Sequence, residues 1–197
     1  MRSTTVRRTT AFRAYKIYIR ILALCIAAVV WYQMGAEAFA EEKYRNETTG
    51  YPVLIEDDAD LLTDEEEDDL AELMKEITEY GGVALKTIDY NSRSTQSYID
   101  QYYYDTFGQG NGTVFLIDMD NRKIWIHSNG RIYRIITTSY ADTITDNVYK
   151  YATNKDYYGC CHEAFSEMLT LLQGNRIAQP MKYISNILLS VIIALFI

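Results

Sequence analysis

IEDDADLLTDEEEDDLAELM, residues 55–74, carries eleven carboxylates in its first eighteen residues and no basic side chain to balance them. It divides at Thr63. Thr63 with Glu66 three residues on forms a capping box, and Asp64, Glu65 and Glu66 fall on the amide groups at a helix start, where the helix dipole favours negative charge. Leu70, Leu73, Met74 and Ile77 then recur at helical spacing, and Gly81 and Gly82 close the element. The acids from Asp64 to Asp69 are therefore chiefly a helix N-terminus. Asp57, Asp58 and Asp60 precede the cap and are not explained by it. They are hard oxygen groups on a loop, the kind that Ca²⁺ or Mg²⁺ takes.

Outward from this stretch the chain alternates. Tyr51 to Glu56 (YPVLIE) reads as a strand or extended arm with Pro52 at its edge, and Val83 to Tyr90 (VALKTIDY) as a strand of β-branched and apolar residues. Ser94 can cap a second helix with Tyr98, Ile99, Tyr102 and Phe107 on one face, a core stripe rather than a ligand box. After the loop Gly108 to Gly112 comes a hairpin of Thr113 to Asp118, a turn at Asp120 and Asn121, and Lys123 to His127. Arg131 to Ile136 adds a short strand or turn. Two helices follow, over Ser139 to Thr153 and Tyr158 to Leu172. This order predicts an α/β fold, an αβα sandwich with a mixed central sheet flanked by helices. The body spans residues 51–174, between polar linkers at 41–50 and 175–182.

The ends differ from the body. Residues 1–40 hold six basic side chains and one acid, which leaves 13 basic and 26 acidic residues in 41–197. Such an acidic body repels nucleic acid and suits a cation better. Ile21 to Tyr32 is apolar and small residues precede Glu41, the layout of a signal peptide or, if uncleaved, an N-terminal anchor. Tyr183 to Ile197 (YISNILLSVIIALFI) has no charge and is expected to be a transmembrane segment, apparently incomplete. Both readings place the domain on the extracytoplasmic side of a membrane.

Few motifs of catalysis are present. The chain has no P-loop, no G-x-G-x-x-G, no H-E-x-x-H and no thiol metal pattern, and its serines lack a glycine elbow. His127 and His162 are read as structural or solvent-facing, and the adjacent Cys160 and Cys161 as small helix residues. Asp118-Met119-Asp120-Asn121 resembles the opening of a calcium loop, but without its glycine and distal glutamate it reads as a turn.

The ordered set LIEDDADLLTDEEEDDL, GQGNGTVFLIDMDNRKIWIHSNG and NKDYYGCCHEAFSEML resembles the TPM domain family, named for thylakoid-lumen phosphatase and photosystem-repair proteins. The family's D-x-A followed by L-L-[ST] falls on Asp57, Ala59, Leu61, Leu62 and Thr63; its N-G on Asn111 and Gly112; its D-Y-Y-G on Asp156, Tyr157, Tyr158 and Gly159. The resemblance implies an αβα sandwich, often set in bacteria between an export signal and a membrane helix. It also implies divalent cations, notably calcium, acid phosphatase activity in plant members, and a receptor-accessory role in an animal member. Asp57, with help from Asp58, Asp60 or Asn111, would then hold a cation that polarises a phosphoryl oxygen. Three acids of the family pattern are missing here, at Gly110, within Ser128 to Tyr133, and at Thr137 to Ser139. The reading that follows is a membrane-tethered, non-catalytic interaction or accessory module for a membrane or envelope protein. Its alternatives are a cation-dependent phosphomonoesterase and a calcium-responsive binding domain.

Overall fold

The computed structural model describes residues 41–196. The expected signal or anchor at 1–40 lies outside the described residues. Five strands form one sheet in sequence order: β1 (Glu41–Arg45), β2 (Pro52–Asp57), β3 (Gly82–Ile88), β4 (Gly112–Asp118) and β5 (Lys123–Asn129). β2, β3 and β4 run parallel, while β1 and β5 pair antiparallel on the two edges. The helices are α1 (Asp64–Ile77), α2 (Thr95–Phe107), α3 (Thr138–Thr153), α4 (Tyr157–Leu172) and α5 (Pro180–Leu195). The mixed sheet flanked by helices is the expected α/β architecture.

Two of the expected helix starts are built as the side-chain chemistry requires. Thr63 caps α1 with the reciprocal Glu66 contact of a capping box, and Ser94 caps α2 through the Ser97 N–H. The segment between Arg131 and Ile136 is a 3₁₀ turn at Ile132–Arg134 rather than a strand.

The linker expected at 41–50 is corrected by the structure. Its first half is strand β1, whose Tyr44 packs on the core and whose register shifts between Glu42 and Tyr44. An edge strand needs only one apolar contact on one face, so EEKYR shows too little alternation to announce itself. Asn46 then turns the chain, accepting from the N–H groups of Thr48 and Thr49 at 2.9 and 3.1 Å.

The two faces of the sheet are unequally covered. Val53, Ile55, Val83, Leu85, Phe115 and Ile117 face α1, α3 and α4 in the larger core. Leu54, Ala84, Val114 and Leu116 face α2, through Ile99 and Tyr103. Successive crossovers from β2 to β3 and from β3 to β4 thus step the same way across the sheet but pass over opposite faces. They have opposite hands, so one of them is left-handed, against the strong right-handed preference of such units. As a consequence, the loop after β2 turns to one face and the loop after β3 to the other. That divergence at the carboxyl ends of adjacent parallel strands is where open α/β sheets place their sites.

Residues 183–195, expected to span a membrane, belong to α5, which begins at Pro180. It is 16 residues long, and no helix among the described residues is long and apolar enough to cross a membrane. Its apolar side chains are nonetheless exposed all round, Ile187 at 66% and Leu195 at 80%.

Candidate functional site

The rim at the carboxyl ends of β2, β3 and β4 gathers Asp57, Asp58 and Asp60 with Thr87, Asn91, Asp118 and Asp120. Asp57 and Thr87 are register partners on neighbouring parallel strands. Asp57 Oδ2 accepts from the N–H groups of Leu61 and Leu62 at 2.7 and 2.8 Å, and its Oδ1 accepts from the Thr87 hydroxyl. The same hydroxyl accepts from the Ala59 N–H at 3.1 Å. Asp57 therefore ties the loop to β3 and delivers Thr63 to its capping position. Asp60 sits in this turn at φ 51°, the left-handed region that Asp and Asn tolerate best among residues with a side chain.

Asp58 is held differently. The ammonium of Lys86, only 3% exposed in mid-strand, lies 2.6 Å from Asp58 Oδ2 and 2.8 Å from Glu56 Oε2, with the Tyr102 ring beneath it at 5.5 Å. Burial alone would lower the lysine's pKa, but hydrogen bonds to Asp58 and Glu56 outweigh it and hold the value above its ordinary one. Lys86 stays charged. A divalent cation on Asp58 would have to share that carboxylate with a fixed positive charge.

Asp118, at the end of β4, is fully buried. It accepts from Asn91 Nδ2 and Thr95 Oγ1 at 2.8 Å each, and from the N–H and Nδ2 of Asn121 at 2.9 Å each. Burial pushes its pKa up, yet these four donors prevail and hold it below the usual value. Asp120 accepts from the Asn91 N–H at 3.1 Å. The turn expected at Asp118 to Asn121 is present, and its aspartate pins the β3–α2 loop, the start of α2 and the hairpin together.

Asn111 does not join this rim. It precedes β4, at the opposite end of the sheet, where its Oδ1 accepts from the Ile132 N–H at 2.8 Å and its Nδ2 reaches Tyr80 O and, at 3.2 Å, Tyr51 Oη. Gly112 beside it has its reason in packing: a Cβ there would come within 2.9 Å of Gly82 O and 3.1 Å of the Phe107 ring. Among the described residues, no group of three or more His, Cys, Asp or Glu side chains is arranged to hold a metal ion. The sequence reading also missed Lys86, Thr87, Asn91 and Thr95. Of these, only Lys86 left a signal, a lone charge within the apolar strand GVALKTI.

The third stretch, Asp156 to Gly159, is a helix start. Asp156 caps α4 by accepting from the Gly159 N–H at 2.9 Å, and a side chain at Gly159 would collide with that carboxylate. Cys160 and Cys161 are fully buried and free, with burial pushing the Cys160 thiol up to about 12 and Cys161 higher than its ordinary value. Neither is poised as a nucleophile. His162 is exposed beside Tyr158, and His127 Nδ1 lies 2.7 Å from Asp100 Oδ1.

The sequence model of the TPM domain matches residues 55–171, more than half of the chain. The chain belongs to the TPM domain family. Among solved structures, the TPM fold seen here is similar to the N-terminal domain of a P. gingivalis protein, with a TM-score of 0.53 at 12% identity, covering 61% of this chain and 82% of that one. A protein from the psychrophilic bacterium Bizionia argentinensis gives a TM-score of 0.49 at 12% identity, over 56% of this chain and 81% of that one. The N-terminal domain of a Corynebacterium glutamicum protein gives 0.48 at 12% identity, over 68% and 86%. No curated protein matches the chain. In this TPM domain, Asp57 is a loop tie, Asn111 a packing hub and Asp156 a helix cap.

Proposed function

We propose that this TPM domain is a non-catalytic binding module held at a membrane on the extracytoplasmic side, where it serves a membrane or envelope protein. One observation carries the reading: the three family motifs act on backbone geometry, with Asp57 accepting from Leu61, Leu62 and Thr87 and Asp156 capping its own helix. A carboxylate already bonded to two N–H groups and a hydroxyl has about one of its four acceptor sites left for a cation, and its geometry is explained without one. The tether is supported by α5, whose exposed apolar surface runs around the whole helix and suits hydrocarbon better than water. The expected signal or anchor at 1–40 would place the domain outside.

The alternative is a Ca²⁺- or Mg²⁺-dependent phosphomonoesterase, or a calcium-responsive binding domain, built on the same rim. It is favoured by Asp58 and Asp60, both exposed beside Asp57 at a point where the loops diverge. Hydrolysis of para-nitrophenyl phosphate by the whole chain in detergent, with either cation, separates the phosphatase from a binding module. A binding module gives no cation-dependent turnover; cation-dependent turnover that Asp60→Asn, an exposed change, removes without lowering the melting temperature would establish the phosphatase.

A further inference from the structure

The two edges of the sheet are built in opposite ways. β1 is charged (EEKYR) and bulged, both of which discourage a further strand from adding. β5 (KIWIHSN) keeps an unbroken register with β4 across seven residue pairs and has neither proline nor bulge. Its outer backbone groups have no strand beside them among the described residues. Ile124, Trp125, His127 and Ser128 are all only part-buried there. Long, regular, apolar edges invite strand addition, and proteins normally guard them.

This edge is the floor of a cleft of about 420 Å³, with α2 as one wall and the 3₁₀ turn and α3 as the other. Its lining includes Asp100 on the α2 side and Asp142 on the α3 side, and no lysine or arginine. Trp125 and His127 face the α2 wall, where His127 packs against Tyr103 at 4.7 Å between ring centroids. Ile126 turns to the larger core.

We propose that the β5 edge is a strand-addition site for an extended, basic peptide segment of a partner protein, one short strand long. The backbone supplies the pairing, and the carboxylates on the two walls select lysine or arginine at adjacent positions of the peptide, whose side chains point to opposite faces. The walls also disfavour a second copy, whose own β5 edge would bring its Asp100 and Asp142 carboxylates toward these rather than the basic groups they attract. This proposal rests on the reading of the domain as a binding module and names its contact surface.

The test uses the 197-residue chain in detergent micelles and a fluorescent seven-residue probe, Val-Thr-Val-Lys-Lys-Val-Thr. Saturable binding is expected, weakened about tenfold by Asp142→Lys, an exposed change that leaves the core alone, or by replacing the two lysines with glutamates. Copies N-methylated on alternate residues, in both registers, separate backbone pairing from side-chain attraction: one register must lose binding. The proposal is overturned if the probe does not saturate, if the glutamate copy binds equally, or if both methylated copies bind like the parent. It is also overturned if sedimentation shows a dimer that Asp142→Lys dissolves. Such failure would leave the binding-module reading standing, because that reading is tested separately, by phosphatase turnover and by the cation dependence of melting.

Discussion

Asn147 on α3 donates to Glu167 Oε1 on α4 at 2.7 Å, while Asn147 Oδ1 and Glu167 Oε2 are both buried without a partner. A proton on Glu167 would turn one of these acceptors into a donor. Burial foremost, and the nearby Glu163 carboxylate, push the Glu167 pKa up to about 7, against the lowering effect of the Asn147 bond. The folded-state value exceeds that of the free side chain, so the unfolded chain ionises first as pH rises. Stability is then complete below about 4.5 and falls as pH climbs to about 7. We expect a loss of roughly 1–2 kcal/mol over that window, allowing for partial solvent access. Glu167→Gln, which keeps the donor at all pH values, should flatten this part of the profile in urea unfolding.

Asp118 works in the other direction. Its pKa is depressed in the folded state, so its contribution is present above the free-carboxylate value and is lost as pH falls below it. Removing it in Asp118→Ala orphans the Asn91 and Thr95 donors in the interior, and should cost about 3 kcal/mol, read as an earlier urea midpoint. Asp118→Asn should cost less, since half of its acceptor capacity remains.

Asp60 can be tested for its conformation apart from its charge. At φ 51° a glycine fits without strain, so Asp60→Gly should leave the melting temperature unchanged or raise stability by up to about 1 kcal/mol. A clear fall would mean that the carboxylate itself makes a contact the fold needs.

Gly159→Ala should be among the more damaging small substitutions. Its new methyl collides with Asp156, which must then release its cap on α4. The expected cost is about 1–2 kcal/mol, the ordinary worth of an N-cap, and Asp156→Ala combined with it should add little.

Local chemistry was legible in the sequence, and topology was not. The Thr63–Glu66 box, the Ser94 cap and the Asp118–Asn121 turn are complete within a few residues, so spacing alone announces them. The placement of α1 and α2 on opposite faces depends on packing between distant segments, and their stripes look alike in isolation. Grouping Asn111 with Asp57 failed for a related reason. One residue precedes a strand and the other ends one, and in a parallel sheet those positions lie at opposite rims. The buried pairing of Lys86 with Glu56 and Asp58 needs the register of β2 on β3, which no local pattern carries.

The most direct measurement is thermal unfolding of the whole chain in detergent with EDTA, Ca²⁺ or Mg²⁺, for the native protein and for Asp57→Asn. If the rim carboxylates tie the fold together, the native melting temperature is the same in all three conditions and Asp57→Asn lowers it equally in each. A cation bound at about a hundred times its dissociation constant would add about 2.7 kcal/mol, raising the melting temperature by about 5–10 °C. A rise of that size that Asp57→Asn abolishes would contradict the account and make the rim a metal site.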